Sequence, residues 1–300
     1  MKQANPNLGR PGFTLVELLV SMAILSILLL ALAQMMNFVS NIWLNGIGAV
    51  DNFTKARVIL NLLDRDIQMM VLRPDMAAFV DGATPAQPAC AFYTNVQGNS
   101  SANPSNTRAV SLVQYSLLQS PSGSPTSSVL QRSNEGMDFL GASGTTPALI
   151  TSLATTNLVQ LGSSGSPNTT LQPEILSTGV IFFQWQFVDG TGAIQNPTSS
   201  SLAFVYDYTN RSASSNYRSV VVSIVVLSNS AYKLAIQTGA LTTLTGNSIF
   251  STAPPMNKTY SDVWNSELSS PNTAFLSLPA PIRTGILVFK RQIPLPTPAS

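Results

Sequence analysis

Arg10-Pro11-Gly12-Phe13-Thr14-Leu15-Val16-Glu17 opens the stretch that decides the fold. From Phe13 to Ala33 the one charged residue is Glu17, in a background of Leu, Ile, Val, Met and Ala. A helix rises ~1.5 Å per residue, so a run of this length crosses a hydrocarbon core of ~30 Å. Lys2 and Arg10 precede the run, both positive, and the next charge after Glu17 is Asp51. The positive-inside bias then predicts a cytoplasmic N-terminus, with residues 40–300 across the membrane.

Gly12-Phe13-Thr14-Leu15-Val16-Glu17-Leu18-Leu19 resembles the type III signal of type IV prepilins and type II secretion pseudopilins. In that family a membrane aspartyl peptidase cuts after the glycine and methylates the new N-terminal phenylalanine. The resemblance implies a cut between Gly12 and Phe13, with Glu17 one helical turn behind the new terminus. A carboxylate among lipid tails costs about 2.5 kcal/mol or more and calls for a partner. Cleavage supplies one, an α-amine with a reference pKa of about 7.7–8.0. The family's glutamate meets the amine of a neighbouring subunit and sets axial register. Pairing with the chain's own terminus is the other reading, and both hold if membrane and filament differ.

Ala31-Leu32-Ala33 before Gln34 also fits an ordinary signal-peptidase site. The overlong apolar run and a carboxylate near its start argue against that, and an uncleaved anchor is the third possibility.

Composition narrows the classes. Of 300 residues only 9% are charged and the net charge is +2, so no nucleic-acid partner is expected. Lys290-Arg291, with Arg283 nearby, reads as a solvated strand edge. There is no histidine and one cysteine, Cys90. An internal disulfide is therefore impossible, and zinc or non-haem iron sites lack their usual ligands. Cys90, between two alanines, reads as a small buried apolar residue.

The chain divides into a leader (1–12), a transmembrane assembly helix (13–40), its amphipathic continuation (41–74) and an extracytoplasmic β-rich head (75–300). Many type IV pilins have proline where this chain has Gln34. Asn45-Gly46-Ile47-Gly48 is a candidate weak point in the helix. Beyond it Phe53, Ala56, Leu60, Leu63, Ile67 and Met70 fall at spacings of three and four, which predicts one packed face. Phe53, Leu60, Leu63 and Ile67 are the expected packing residues, and Arg73-Pro74 the expected end.

Short apolar runs between turn-rich loops follow. They predict strands at 89–94, 109–118, 128–131, 180–188, 202–208, 218–228 and 284–292. Polar stretches at 95–107, 119–127 and 141–170 predict long surface loops. The fold class is thus α+β and pilin-like: a long N-terminal hydrophobic helix whose C-terminal half packs on a mainly antiparallel sheet head.

A finer resemblance comes from order. Val113-Gln114-Tyr115-Ser116-Leu117, Leu130-Gln131-Arg132, Gly179-Val180-Ile181-Phe182-Phe183 and Val220–Leu227 follow the strand sequence of large J-type minor pseudopilins. Residues 229–282 fit that pattern poorly, and a lineage-specific prepilin-like cassette protein is the related alternative.

Catalysis finds little support. Serine chemistry usually needs a histidine, Gly162-Ser163-Ser164-Gly165 lacks nucleophile-elbow spacing, and Ser230-Ala231-Tyr232-Lys233 is a common chance pattern. Asp189 and Asp207 head loops with too few acidic ligands for calcium. No enzyme activity, metal or cofactor is expected.

The resemblance implies a structural subunit of a type II secretion or type IV pilus filament, in the bacterial inner membrane before assembly. Its partners would be other pilins or pseudopilins, the prepilin peptidase and methyltransferase, an inner-membrane assembly platform and the bilayer. A membrane-tethered binding or adhesion protein using loops 95–170 is the alternative.

Overall fold

The computed structural model describes residues 14–71, 79–81, 89–100, 107–119, 127–136, 173–195, 217–246, 250, 254–255, 257–271 and 273–296. The predicted cleavage site, most of the predicted loops and the predicted strand at 202–208 lie outside them. Two units, Met1–Ile47 and Gly48–Ser300, are described separately.

In the first unit, helix α1 (Leu15–Gln68) begins and every described side chain is exposed. Leu15–Ser40 spans 26 residues, with an 18-residue window of mean hydropathy 2.7 and none of it buried, long and apolar enough to cross a membrane. Some of its polar groups bond within the helix. The Glu17 N–H donates to Thr14 Oγ1 at 3.3 Å, Ser21 Oγ to the Leu18 carbonyl at 2.9 Å and Ser26 Oγ to the Met22 carbonyl at 2.8 Å. Internal bonding of this kind lets hydroxyls sit in an apolar span.

In the second unit, α1 from Gly48 onward packs on two sheets. The assigned helix continues through Gly46 and Gly48, and ends at Gln68, ahead of the expected stop at Arg73-Pro74. The sheet takes the chain first. Met70 bridges Thr94, the Val71 N–H donates to the Tyr93 carbonyl at 2.9 Å, and the Asn95 N–H donates to the Met69 carbonyl at 2.8 Å.

The first sheet contains β1 (Phe79–Asp81), β2 (Ala89–Thr94), β3 (Gly98–Ser100), β4 (Thr107–Arg108), β5 (Ser111–Gln119), β6 (Ser128–Gly136) and β7 (Glu174–Thr178), in the order β1-β2-β5-β6-β3-β4 with β7 also on β6. Its described pairings are antiparallel except β3 with β6. The second contains β8 (Val180–Asp189), β9 (Ile194–Gln195), β10 (Tyr217–Leu227) and β11 (Ile286–Pro294), in the antiparallel order β11-β10-β8-β9.

One strand run serves both sheets. β7 pairs with β6, the chain turns at Gly179, and β8 pairs with β10. Gly179 has φ +80°, its N–H donates to the Ser128 carbonyl at 3.0 Å, and its carbonyl accepts from the Leu227 N–H at 2.7 Å. That left-handed backbone favours glycine.

Between β10 and β11 lie α2 (Asn229–Gln237), α3 (Ala240–Gly246), α4 (Tyr260–Ser269), α5 (Thr273–Leu276) and α6 (Ala280–Thr284), which the sequence reading did not anticipate. They cover the face of the second sheet opposite α1. Val220, Val222, Ile224 and Val226 of β10 join α1 in one core, whereas Val225 and Leu227 join Trp264, Ile282 and the other helical residues in a second. Burial on both faces explains the nearly unbroken apolar sequence of this central strand. A register shift puts Val225 opposite Phe182 but Val226 opposite Val180. The extra residue, Ile181, therefore shares the helical side with Phe182.

Candidate functional site

Gly12 and Phe13 lie outside the described residues, and Glu17 is exposed in the first turn of α1. A carboxylate there complements the positive end of the helix dipole. The candidate assembly surface of the first unit is the exposed Leu15–Ser40 stretch that Glu17 opens.

The candidate packing site of the second unit is the buried face of α1. Leu60, Leu63 and Ile67 are buried there with Ala56 and Ile59, and Met70, past the helix end, is buried as well. Phe53 departs from the expectation: it is 60% exposed, and its ring stands edge-on to Phe289 at 5.1 Å. The face turns instead through Asn52, Ala56 and Ile59, so Phe53 falls on its rim.

Polar side chains of α1 tie the helix to three parts of the head. Near Gly48, Asn52 Nδ2 donates to the Gly285 carbonyl at 2.9 Å, and Lys55 Nζ donates to Asn229 Oδ1 at 2.7 Å while pairing with Asp51 at 3.2 Å. Midway, Arg291 of β11 donates to Asn61 Oδ1 at 2.6 Å and pairs with Asp64.

The third tie is the deepest. Asp66 is fully buried, and its Oδ2 accepts from Tyr115 Oη at 2.6 Å and from Arg132 Nε at 2.8 Å. Its Oδ1 accepts from Arg65 Nε at 3.2 Å and Nη2 at 3.1 Å. Burial, then the Asp66 charge and hydrogen bond, push the Tyr115 hydroxyl well above its ordinary value, so it stays neutral and donates. Burial works against the Arg132 charge, but the hydrogen bond and charge of Asp66 outweigh it and raise the guanidinium. The sequence reading quoted Tyr115 and Arg132 only as strand markers and missed Asp66. The available signal was its position seven residues after buried Ile59 and three after buried Leu63.

Beside this face a groove of about 570 Å³ is lined by Val50, Phe53, Arg57, Leu60, Phe289 and Arg291 among others. Lys290 and Arg291 sit on strand β11, at the edge of its sheet, paired with Asp262 and Asp64. Charged edge residues of this kind discourage unwanted strand pairing.

The other singled-out residues read as structural. Asp189 accepts from the Thr191 hydroxyl at 2.6 Å and from the Thr191 and Ala193 amides at 2.8 and 3.0 Å. The Thr191 hydroxyl leads in holding its carboxyl below the usual range. Ser230 and Lys233 are both exposed on α2, and Cys90 is buried in β2. Among the described residues no group of three metal-ligating side chains occurs.

Comparison with known proteins bears on the N-terminus. The family model described as a prokaryotic N-terminal methylation motif matches residues 9–33. The chain carries a prepilin-type methylation motif. This supports a prepilin-like, type IV pilin-type precursor, and with one helix long and apolar enough to cross a membrane among the described residues it fits membrane anchoring. The search of curated proteins returns no match.

Proposed function

We propose that this prepilin-like chain is a structural subunit, a minor pseudopilin or pilin-like protein of a type II secretion or type IV pilus filament. It is processed between Gly12 and Phe13 and methylated at Phe13. The observation that carries this reading is the methylation motif at 9–33 opening a helix whose Leu15–Ser40 segment buries nothing within its own chain. Such a segment is stable in lipid or against other apolar helices. At ~25 cal/mol per Å² of apolar surface, exchanging lipid for neighbouring helices avoids a large exposure cost when the subunit leaves the bilayer.

On this reading the protein has no catalytic residue, and Glu17 aligns each subunit with the amine of its neighbour. The head, with its extra helical layer, hinders dense lateral packing, which favours a low-copy position at a tip or initiation complex. The order of strands carrying Tyr115, Arg132, Phe183 and the Val-rich β10 supports the large J-type branch. N-terminal mass spectrometry of the membrane-extracted protein tests the proposal. Methylated Phe13 as first residue is the expected result, and Met1 or Gln34 as first residue overturns it.

A further inference from the structure

The packed face of α1 is almost a repeating surface. Ala56, Ile59, Leu60, Leu63 and Ile67 are all apolar and buried, at spacings that recur every turn. A shift of one turn, about 5.4 Å, brings one such residue near the place of the last. Hydrophobic burial is non-directional, so these contacts alone specify the axial position of the helix weakly.

Two buried polar residues, Asn52 and Asp66, break the repeat, and of the two Asp66 carries a charge. Its carboxylate reaches Tyr115 of β5 and Arg132 of β6 at once, and those two residues are register partners across the strands. Displacement by a turn would leave a buried carboxylate without Tyr115 and a buried guanidinium without Asp66. Breaking a buried pair in that way is strongly unfavourable.

We infer that the Asp66–Tyr115–Arg132 cluster is a positioning device that fixes the register of α1 on the head, and is not a net source of stability. A second observation supports the distinction. Arg132 is 7% exposed, yet its Nη2 is buried without a hydrogen-bond partner among the described residues. An incompletely satisfied ionic network does not outperform apolar packing of the same volume, but it does penalise every alternative alignment. The functional consequence rests on the filament reading: a repeating assembly needs the same offset between helix and head in every copy.

The test uses the full-length chain in detergent, with Cys90→Ala and spin labels placed at Val58 and, in separate samples, at Gln195 or Gln237. Electron–electron distance measurements on the otherwise unaltered chain should give one distance per pair. With Asp66→Leu, Tyr115→Phe and Arg132→Met together, urea stability should hold or rise. At least one pair should then show a second distance, populated at about 10% or more. Unchanged single distances, or a loss of stability in the folded triple variant, overturn the inference. Should the triple variant not fold, Asp66→Asn decides on the same labels: a second distance supports the device and an unchanged one overturns it. Neither readout depends on filament assembly. An unprocessed N-terminus would sink the filament reading and leave this inference standing.

Discussion

The two parts of α1 share one backbone conformation and treat their side chains in opposite ways. From Leu15 to Ser40 apolar residues surround the helix and none is buried. From Gly48 to Gln68 one side is apolar and buried, while Asp51, Asn61 and Asp64 bond to neighbouring elements of the head. A helix apolar all round needs an apolar medium, whereas a one-sided helix needs a single packing surface. The second part finds that surface within its own chain. The first is buried against nothing described, and needs an apolar medium such as lipid or other apolar helices.

The sharpest way to break this contrast is at the N-terminus. Replacing Gly12 with a bulky residue should leave uncleaved precursor in the membrane, seen as a mass shift on intact protein. On the filament reading proposed above, Glu17→Leu should leave cleavage intact and abolish incorporation into filaments; normal incorporation would remove the register role proposed for Glu17.

Matched truncations probe the two parts directly. Leu63→Ala, in a position 1% exposed, should cost the head about 2–5 kcal/mol in urea unfolding. Leu28→Ala, at 57% exposed, should leave that transition where it was. Equal effects would erase the distinction.

A smaller effect is expected at the sheet corner. Gly179→Ala forces a side chain into φ +80° and puts its Cβ 3.1 Å from the Leu227 carbonyl oxygen. The left-handed conformation alone costs about 1–2 kcal/mol, measurable in the same experiment.

The smallest concerns acid. Burial raises the Asp262 carboxyl, but Lys290 and the Thr259 hydroxyl and amide outweigh it and lower the value from 3.8 to about 2. Its contribution is therefore complete above about pH 4 and fades as pH falls toward 2. Because the side chain is 43% exposed, solvent screens most of it. Asp262→Asn should slightly flatten the acid limb of stability between those values.

Much of this was legible from residue order. The apolar helix announces itself through length and the single charge of Glu17, and β2 occupies the residues its apolar run predicts. The helices between β10 and β11 were not legible. They are short and rich in Ser and Thr, and some of their start signals lie in loops, such as Thr259 capping α4 through Asp262. Phe53 was assigned to the buried face because spacings of three and four do not fix which edge of a stripe turns outward. Asp66 escaped because composition marks an acid as surface, and only the arrival of Tyr115 and Arg132 from distant strands makes its burial affordable.

Gly179 has a consequence for how the head comes apart. Because a single backbone passes from one sheet straight into the next, with an amide bonded to the first and a carbonyl bonded to the second, neither layer can peel away alone. Heating should melt them in one step.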